Sequence, residues 1–186
     1  MRGRFIIIVV ALAVTAPTLL KAQRISISTN LADYANFATF NIEGAYALNQ
    51  HWSLFAKGAY NPFTFNKGTA GQIQHRLFSI SAGSRYWFWH FNSGWFAGAK
   101  LQYSIYNYGG LVSRRTEEGM GYSVGLFGGY AIMLTPNLNL ELGIGLLGGI
   151  KDYVRYKCQS CGEIVSKGVT PYIFPDNLIV QLVYMF

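Results

Sequence analysis

The sequence predicts an all-β fold: an eight-stranded antiparallel transmembrane β-barrel of the outer-membrane type, following a cleaved signal peptide. Three observations carry this. Residues 137–150, NLNLELGIGLLGGI, put Leu138, Leu140, Leu142, Ile144 and Leu146 on one parity. Asn139, Glu141, Gly143, Gly145 and Gly149 fall on the other, broken only by Leu147. Side chains alternate sides along a strand, so this stretch has one greasy face and one of polar or very small groups; on a helix the leucines would scatter around the axis. Seven further segments alternate in the same way. Finally, charged residues make up only 12% of the chain, aromatics reach 16% and glycines number 21, a balance unlike a soluble surface or a disordered chain.

The chain's 186 residues suit one domain. Residues 1–22 read as a secretory signal. Arg2 and Arg4 form a basic start, residues 5–16 are apolar, and Leu20-Lys21-Ala22 offers a small residue before a cut ahead of Gln23. Pro17 and Lys21 keep the apolar run short of the roughly 20 residues of a spanning helix. No cysteine stands at the cut to carry a lipid anchor. The domain is therefore residues 23–186, with 12 Lys and Arg against 8 Asp and Glu. Without a basic run or recognition motif, that excess is no nucleic-acid footprint. An exported, apolar chain with no later helical span crosses a membrane only by closing a sheet, because every backbone polar group needs a partner in lipid.

Taken in order, the first segment is residues 25–34, with Ile25, Ile27, Thr29 and Leu31 opposite Ser26, Ser28 and Asn30. The second, 38–48, sets Phe40, Ile42, Tyr46 and Leu48 against Asn41, Glu43 and Ala45. A polar turn, 49–51, leads to the third, 52–61, with Trp52, Leu54 and Tyr60 opposite Ser53, Lys57 and Asn61. A loop at 62–71 precedes the fourth, 74–89, where Phe78, Ile80 and Tyr86 oppose Ser79, Ser81 and Arg85. After a tight turn the fifth, 94–106, sets Leu101, Tyr103 and Ile105 against Lys100, Gln102 and Ser104. A loop at 107–118 follows. The sixth, 119–134, sets Tyr122, Val124 and Leu126 against Gly121, Ser123 and Gly125. Thr135-Pro136-Asn137 turns into the seventh, 137–150. The longest loop, 151–171, precedes the eighth, 172–186.

Short and long connections thus alternate, except at the short first hairpin near 35–37, as short periplasmic turns and longer extracellular loops do, which puts both chain ends on the periplasmic side. Aromatics bunch at segment ends: Trp52, Trp87, Phe88, Trp89, Phe91 and Trp95 by the short turns, Tyr60, Phe63, Tyr103, Tyr106, Tyr122 and Tyr172 by the long loops. Such rings favour the two membrane interfaces. A lipocalin-like cup with inverted faces would need a charged exterior, but the polar parity carries only Glu43, Lys57, Arg85, Lys100 and Glu141. These five are expected to form an ion-pair network filling a narrow, closed lumen. At the C-terminus, Leu178, Val180, Leu182, Tyr184 and Phe186 share one parity. Tyr184 and Phe186 resemble the terminal signal read by the barrel-assembly machinery of Gram-negative outer membranes.

Cys158 and Cys161, in KCQSCGE, offer a loop clasp, either a disulfide or a weakly held metal; the second half of a four-ligand zinc site is missing. No cofactor is implied. His75 with Ser79 and Ser81 raises a lipid-modifying enzyme, but no acidic residue stands at fitting spacing to orient the histidine. The basic loop residues Lys67, Arg114, Arg115, Arg155 and Lys157 are candidates for contacting lipopolysaccharide, an extracellular glycan or a protein.

Thr29-Asn30-Leu31, Trp52-Ser53-Leu54, Gly58-Ala59-Tyr60-Asn61-Pro62, Arg85-Tyr86-Trp87, Tyr156-Lys157-Cys158 and Cys161-Gly162 run in the order of a Bacteroidota outer-membrane barrel family, domain of unknown function 3575, which the chain resembles over most of its length. It departs at Gly83, two places before Arg85, where the family often has an acidic residue. The resemblance implies an outer-membrane barrel and no particular activity. The reading is then a non-enzymatic outer-membrane protein of a Gram-negative bacterium, structural or surface-binding through its extracellular loops. The alternatives are a narrow channel or small-solute transporter and, behind it, a lipid-modifying enzyme.

Overall fold

The computed structural model describes residues 24–69, 72–110, 115–158, 162–176 and 178–186. The alternating segments form β1 (Ile25–Asn30), β2 (Phe40–Ala47), β3 (Trp52–Asn61), β4 (Thr64–Phe65), β5 (Ile73–Trp87), β6 (Gly94–Gly109), β7 (Thr116–Thr135), β8 (Leu138–Tyr156), β9 (Ile164–Pro175) and β10 (Ile179–Met185), with one helical turn, α1 (Leu31–Ala35). β4 resumes the β3 register on β5 beyond Pro62. β9 and β10 both pair with β8 and are one interrupted strand. β10 also pairs with β1, so the sheet closes as an eight-stranded antiparallel barrel.

The stagger of this closure sets the shape. One row of partners runs Ser28, Glu43, Lys57, Ser81, Gln102, Ser123, Gly149. In the other direction Ser28 pairs with Val183, and Val183 with Asn139. The circuit returns to β8 ten residues from where it left, between Gly149 and Asn139. That stagger tilts the strands by about 40° and makes a backbone cylinder about 16 Å across, a bore that side chains fill.

The greasy parity points outward: Leu126 is 66% and Ile144 70% exposed. The inward face carries the charges, with Glu141 at 0% exposure. The lipocalin-like arrangement is therefore reversed here. Outward Trp52 and Tyr60 stand at the two ends of the β3 face, about 20 Å apart along the axis at this tilt. Leu147, the one break in the seventh segment's alternation, turns inward, and Gly125 opposite leaves it room: a β-carbon there would lie 3.0 Å from Leu147 Cδ1 and from Lys100.

Four expectations are corrected. The first strand stops at Asn30, not residue 34, because the Asn30 side chain accepts from the Ala32 N–H and caps α1. Much of the expected loops 107–118 and 151–171 is strand, with β6–β9 running on above the aliphatic band. The eighth strand is broken at residues 176–178, where the chain gains one residue relative to β8 and its inward parity flips. Not every end-of-strand aromatic faces out. Trp87 is fully buried and donates its indole N–H to Ser53 Oγ at 2.9 Å. It packs with Phe55, Phe96 and Phe127 in the lower bore, and Phe91 packs against the same cluster. Tyr106 and Tyr172 also turn inward. The expected signal, residues 1–22, lies outside the described residues.

Removing the Trp87 indole empties the lower bore and orphans the Ser53 hydroxyl. Trp87→Ala is expected to lower unfolding stability by about 3–5 kcal/mol, measured by urea titration of the folded protein in detergent; a loss below about 1 kcal/mol would mean the ring supports nothing.

Candidate functional site

The five lumen charges do not form one network. Arg85 is the centre: its Nη2 donates to Glu43 Oε1 at 2.6 Å, and its Nη1 lies 3.8 Å from Glu141 Oε2. Gln181 Nε2 donates to the same Glu43 oxygen at 3.0 Å and also to Ser28 Oγ. The guanidinium rests on rings, 4.6 Å from the Phe55 centroid, 5.6 Å from Phe127 and 5.7 Å from Phe96, a cation–π arrangement that gains from desolvation. Lys57 pairs instead with Asp33 at 2.6 Å, and Lys100 with Asp176 at 2.6 Å. Between these groups remains a cavity of about 30 Å³, room for a water or two.

Asp33 and Asp176 escaped the sequence reading for distinct reasons. Asp33, 1% exposed, reaches the lumen only because the chain leaves the sheet at Asn30. Asp176 points inward only because the bulge shifts its parity. The Pro175-Asp176-Asn177 turn signal marks the interruption but not the direction. With both included, three cations face four carboxylates in the lumen among the described residues. At Gly83 a β-carbon would lie 2.1 Å from Ala99 O, 2.8 Å from Lys100 Cα and 2.9 Å from Phe55 Cε1, so the neighbouring backbone and ring leave no room for a side chain.

Above the aliphatic band, the inner face of β5–β8 carries a second cluster. His75 stacks between Phe37 and Tyr108, each 4.7 Å between centroids, and Tyr108 stacks on Tyr106 at 5.2 Å. Glu117 accepts from Lys151 at 2.6 Å, from Arg155 at 2.6 Å and from Tyr106 at 3.1 Å. Burial lowers the His75 pKa, so the ring favours its neutral form. Burial, helped by Tyr172, pushes the Tyr108 phenol up to about 12. For Glu117 burial acts upward, but the Lys151 and Arg155 hydrogen bonds outweigh it and hold the carboxyl below its ordinary value. His75 donates to no serine. Ser79 lies four residues along the strand, about 13 Å away, because β5 runs straight there. Phe37 and the following Ala38 are both left-handed, at φ 53° and 56°, a costly pair. Asn61 holds the turn by donating to Phe37 O at 2.9 Å.

The surface-binding residues are dispersed. Arg155 is engaged by Glu117, and Lys157 pairs with Glu163 at 3.0 Å. Lys67 stands on the β4–β5 hairpin and Arg115 next to β7. Arg114 lies outside the described residues. Cys158 is disulfide-bonded; Cys161 lies outside the described residues. Among the described residues no group of three or more His, Cys, Asp or Glu is placed to hold a metal. Tyr184 and Phe186 face outward at the lower rim, edge to face at 5.0 Å.

The surplus lumen carboxylate is Glu141, whose two oxygens make no hydrogen bond among the described residues. Glu43→Gln is expected to cost about 3–5 kcal/mol by leaving Arg85 without its close partner, and Glu141→Gln less than about 1 kcal/mol, compared by urea midpoints. Equal costs would mean that Arg85 leans on both acids alike. For Glu117 the depressed pKa means its contribution is full above its ordinary 4.5 and is lost as pH falls through the lower folded value. Protease sensitivity of the β7–β9 hairpins should therefore rise on acidification below that range, and Glu117→Gln should make it pH-independent.

Comparison with the curated proteins finds no significant match. The family model described as "Protein of unknown function (DUF3575)" matches residues 6–186, and the chain belongs to that family.

Proposed function

We propose that the chain is an outer-membrane barrel of a Gram-negative bacterium, exported by residues 1–22, that works through its outer surface and not through its bore. The observation that carries this is the direction of the faces. Aliphatic side chains cover the outside of a closed barrel between outward aromatic rings, and the charges at that level point in, the distribution lipid demands. The termini are then periplasmic, Tyr184 and Phe186 address the barrel-assembly machinery, and the tall β5–β9 hairpins stand outside the cell.

The filled bore supports a non-conducting barrel. Arg85 and its rings close the section, and only about 30 Å³ remains beside them. Catalysis has no place in this reading, since His75 is sealed between two rings and contacts no hydroxyl nucleophile. The hairpins, together with the lipid and lipopolysaccharide around them, are where partners meet the protein: a glycan or protein from outside, and the outer leaflet at the side.

Isolated outer membranes should contain the protein in a form whose gel mobility changes on boiling. In planar bilayers the pure folded protein should give no conductance steps, whereas Arg85→Ala with Phe127→Ala should give them. Steps from the unaltered protein would replace this reading with a narrow channel, and a soluble periplasmic protein without a mobility shift would overturn it.

A further inference from the structure

The outer face of the barrel is indented just above the upper aromatic rings. A groove of about 710 Å³ crosses β3, β5, β6, β7 and β8. Sheet register lays two rows of outward side chains along it. The upper row is polar: Arg76 is paired across strands with Asn107, and Asn107 with Glu118. The lower row is apolar as far as β8: Tyr60, Phe78, Ile105 and Met120 are successive partners, and Met120 pairs with Asp152. Below, the same face continues into exposed Ile80, Leu101 and Val124.

The two ends of the groove differ in charge. Arg76, on β5, is exposed and makes no hydrogen bond or ion pair among the described residues. Asp152, three strands on and about 14 Å across the sheet, is likewise exposed and unpaired among the described residues. Between them Asn107 donates to Glu118 at 3.0 Å, and Glu118 accepts from Tyr156 at 2.6 Å. Asn107 Oδ1 is left without a partner among the described residues. A cation at one end, carboxylates and an amide at the other, and an aromatic lower lip form a mixed recognition surface. It is unlike the single-sign patch that a bare anion would select.

We propose that this groove seats the phosphorylated sugar headgroup of an outer-leaflet glycolipid, a role that rests on the outer-membrane reading above. The phosphate takes the Arg76 end, by charge-assisted hydrogen bonds. Sugar hydroxyls meet Asn107, Glu118 and Asp152, and the ring faces lie over Tyr60 and Phe78. The acyl chains run down the Ile80, Leu101 and Val124 surface. Phosphatidylglycerol offers one phosphate to Arg76 but carries no cation, and its headgroup is too short to span the roughly 14 Å to Asp152. A peptide adding by strand pairing is disfavoured, because β5, β6 and β7 are paired on both edges at the groove.

The test is native mass spectrometry of the full folded protein released from nanodiscs of phosphatidylethanolamine doped equally with monophosphoryl lipid A and phosphatidylglycerol. Lipid A should be retained in preference to phosphatidylglycerol. Arg76→Ala should lower lipid A retention about tenfold, and Asp152→Asn with Glu118→Gln should erase the preference over phosphatidylglycerol. Both changes are on the exposed face, and the heat-dependent mobility shift checks that each variant is folded. Equal retention of the two lipids, an unaltered Arg76→Ala, or a dimer that Arg76→Ala disperses would each overturn the assignment. A heat-modifiable outer-membrane protein that does not discriminate loses only the groove; a soluble protein with no shift loses both readings.

Discussion

Everything in this molecule hangs on a seam of seven residues. β10, Ile179–Met185, bonds to β1 on one edge and to β8 on the other, and it is where the first and last strands meet. Its register fixes the ten-residue stagger, the stagger fixes the tilt, and the tilt fixes which inward side chains share a level in the bore. Asn30 locks the seam from the side. Its Oδ1 accepts from Val180 N at 2.9 Å, and its Nδ2 donates to Leu178 O at 3.1 Å and to Asp33 at 3.2 Å. One asparagine therefore ends β1, starts α1, and ties both to the far end of the chain. Buried polar groups satisfied in this way specify a single arrangement more than they add net stability.

The lumen is two materials in contact. Below lies an aromatic core of Phe55, Trp87, Phe96 and Phe127, close-packed like any protein interior. Above lie three ion pairs, of which Arg85–Glu43 links two strands, Lys57–Asp33 ties β3 to α1 and Lys100–Asp176 ties β6 to the break after β9. Arg85 is the junction, with rings beneath its plane and a carboxylate at its edge. A lysine offers no planar face to the rings and no fork to the acid. The ends of β9 and β10 enter the same assembly through Asp176 and Gln181, so the break in the eighth strand supplies the lumen as well as interrupting the wall.

The barrel was legible because one face of most segments is uniformly aliphatic and the other is not. β7 and β8 announce themselves over Leu126 and Ile144 for that reason. Higher up the signal fades while the strand persists. Glu117 and Glu118, or Lys151 and Asp152, face opposite sides, yet both are charged, so alternation of polarity vanishes above the aliphatic band. The inward charges Glu43, Arg85 and Glu141 were readable from parity alone. Lys57 and Lys100 were also readable as inward, but not their partners, since those depend on a five-residue helix and a one-residue bulge. Trp87 shows the opposite failure. Position at a strand end suggested an interface ring, whereas odd parity on β5, shared with Arg85, turns it into the bore.

β9 bonds to β8 only; among the described residues its other edge has no strand beside it, because β1 ends early and α1 turns away. Asp176 N donates to Gly145 O, so even-numbered amides face β8 and odd-numbered ones face the open side. Of the six odd positions in β9, two are Pro171 and Pro175, which have no N–H to offer. An unpaired strand edge is an invitation for another chain to zip onto it. Here the lower stretch of the edge keeps its carbonyls but, of Pro171, Ile173 and Pro175, only Ile173 has an N–H to offer, so a foreign strand meets a ladder short of donors. The open edge is thus blunted against strand pairing by the absence of two hydrogen atoms.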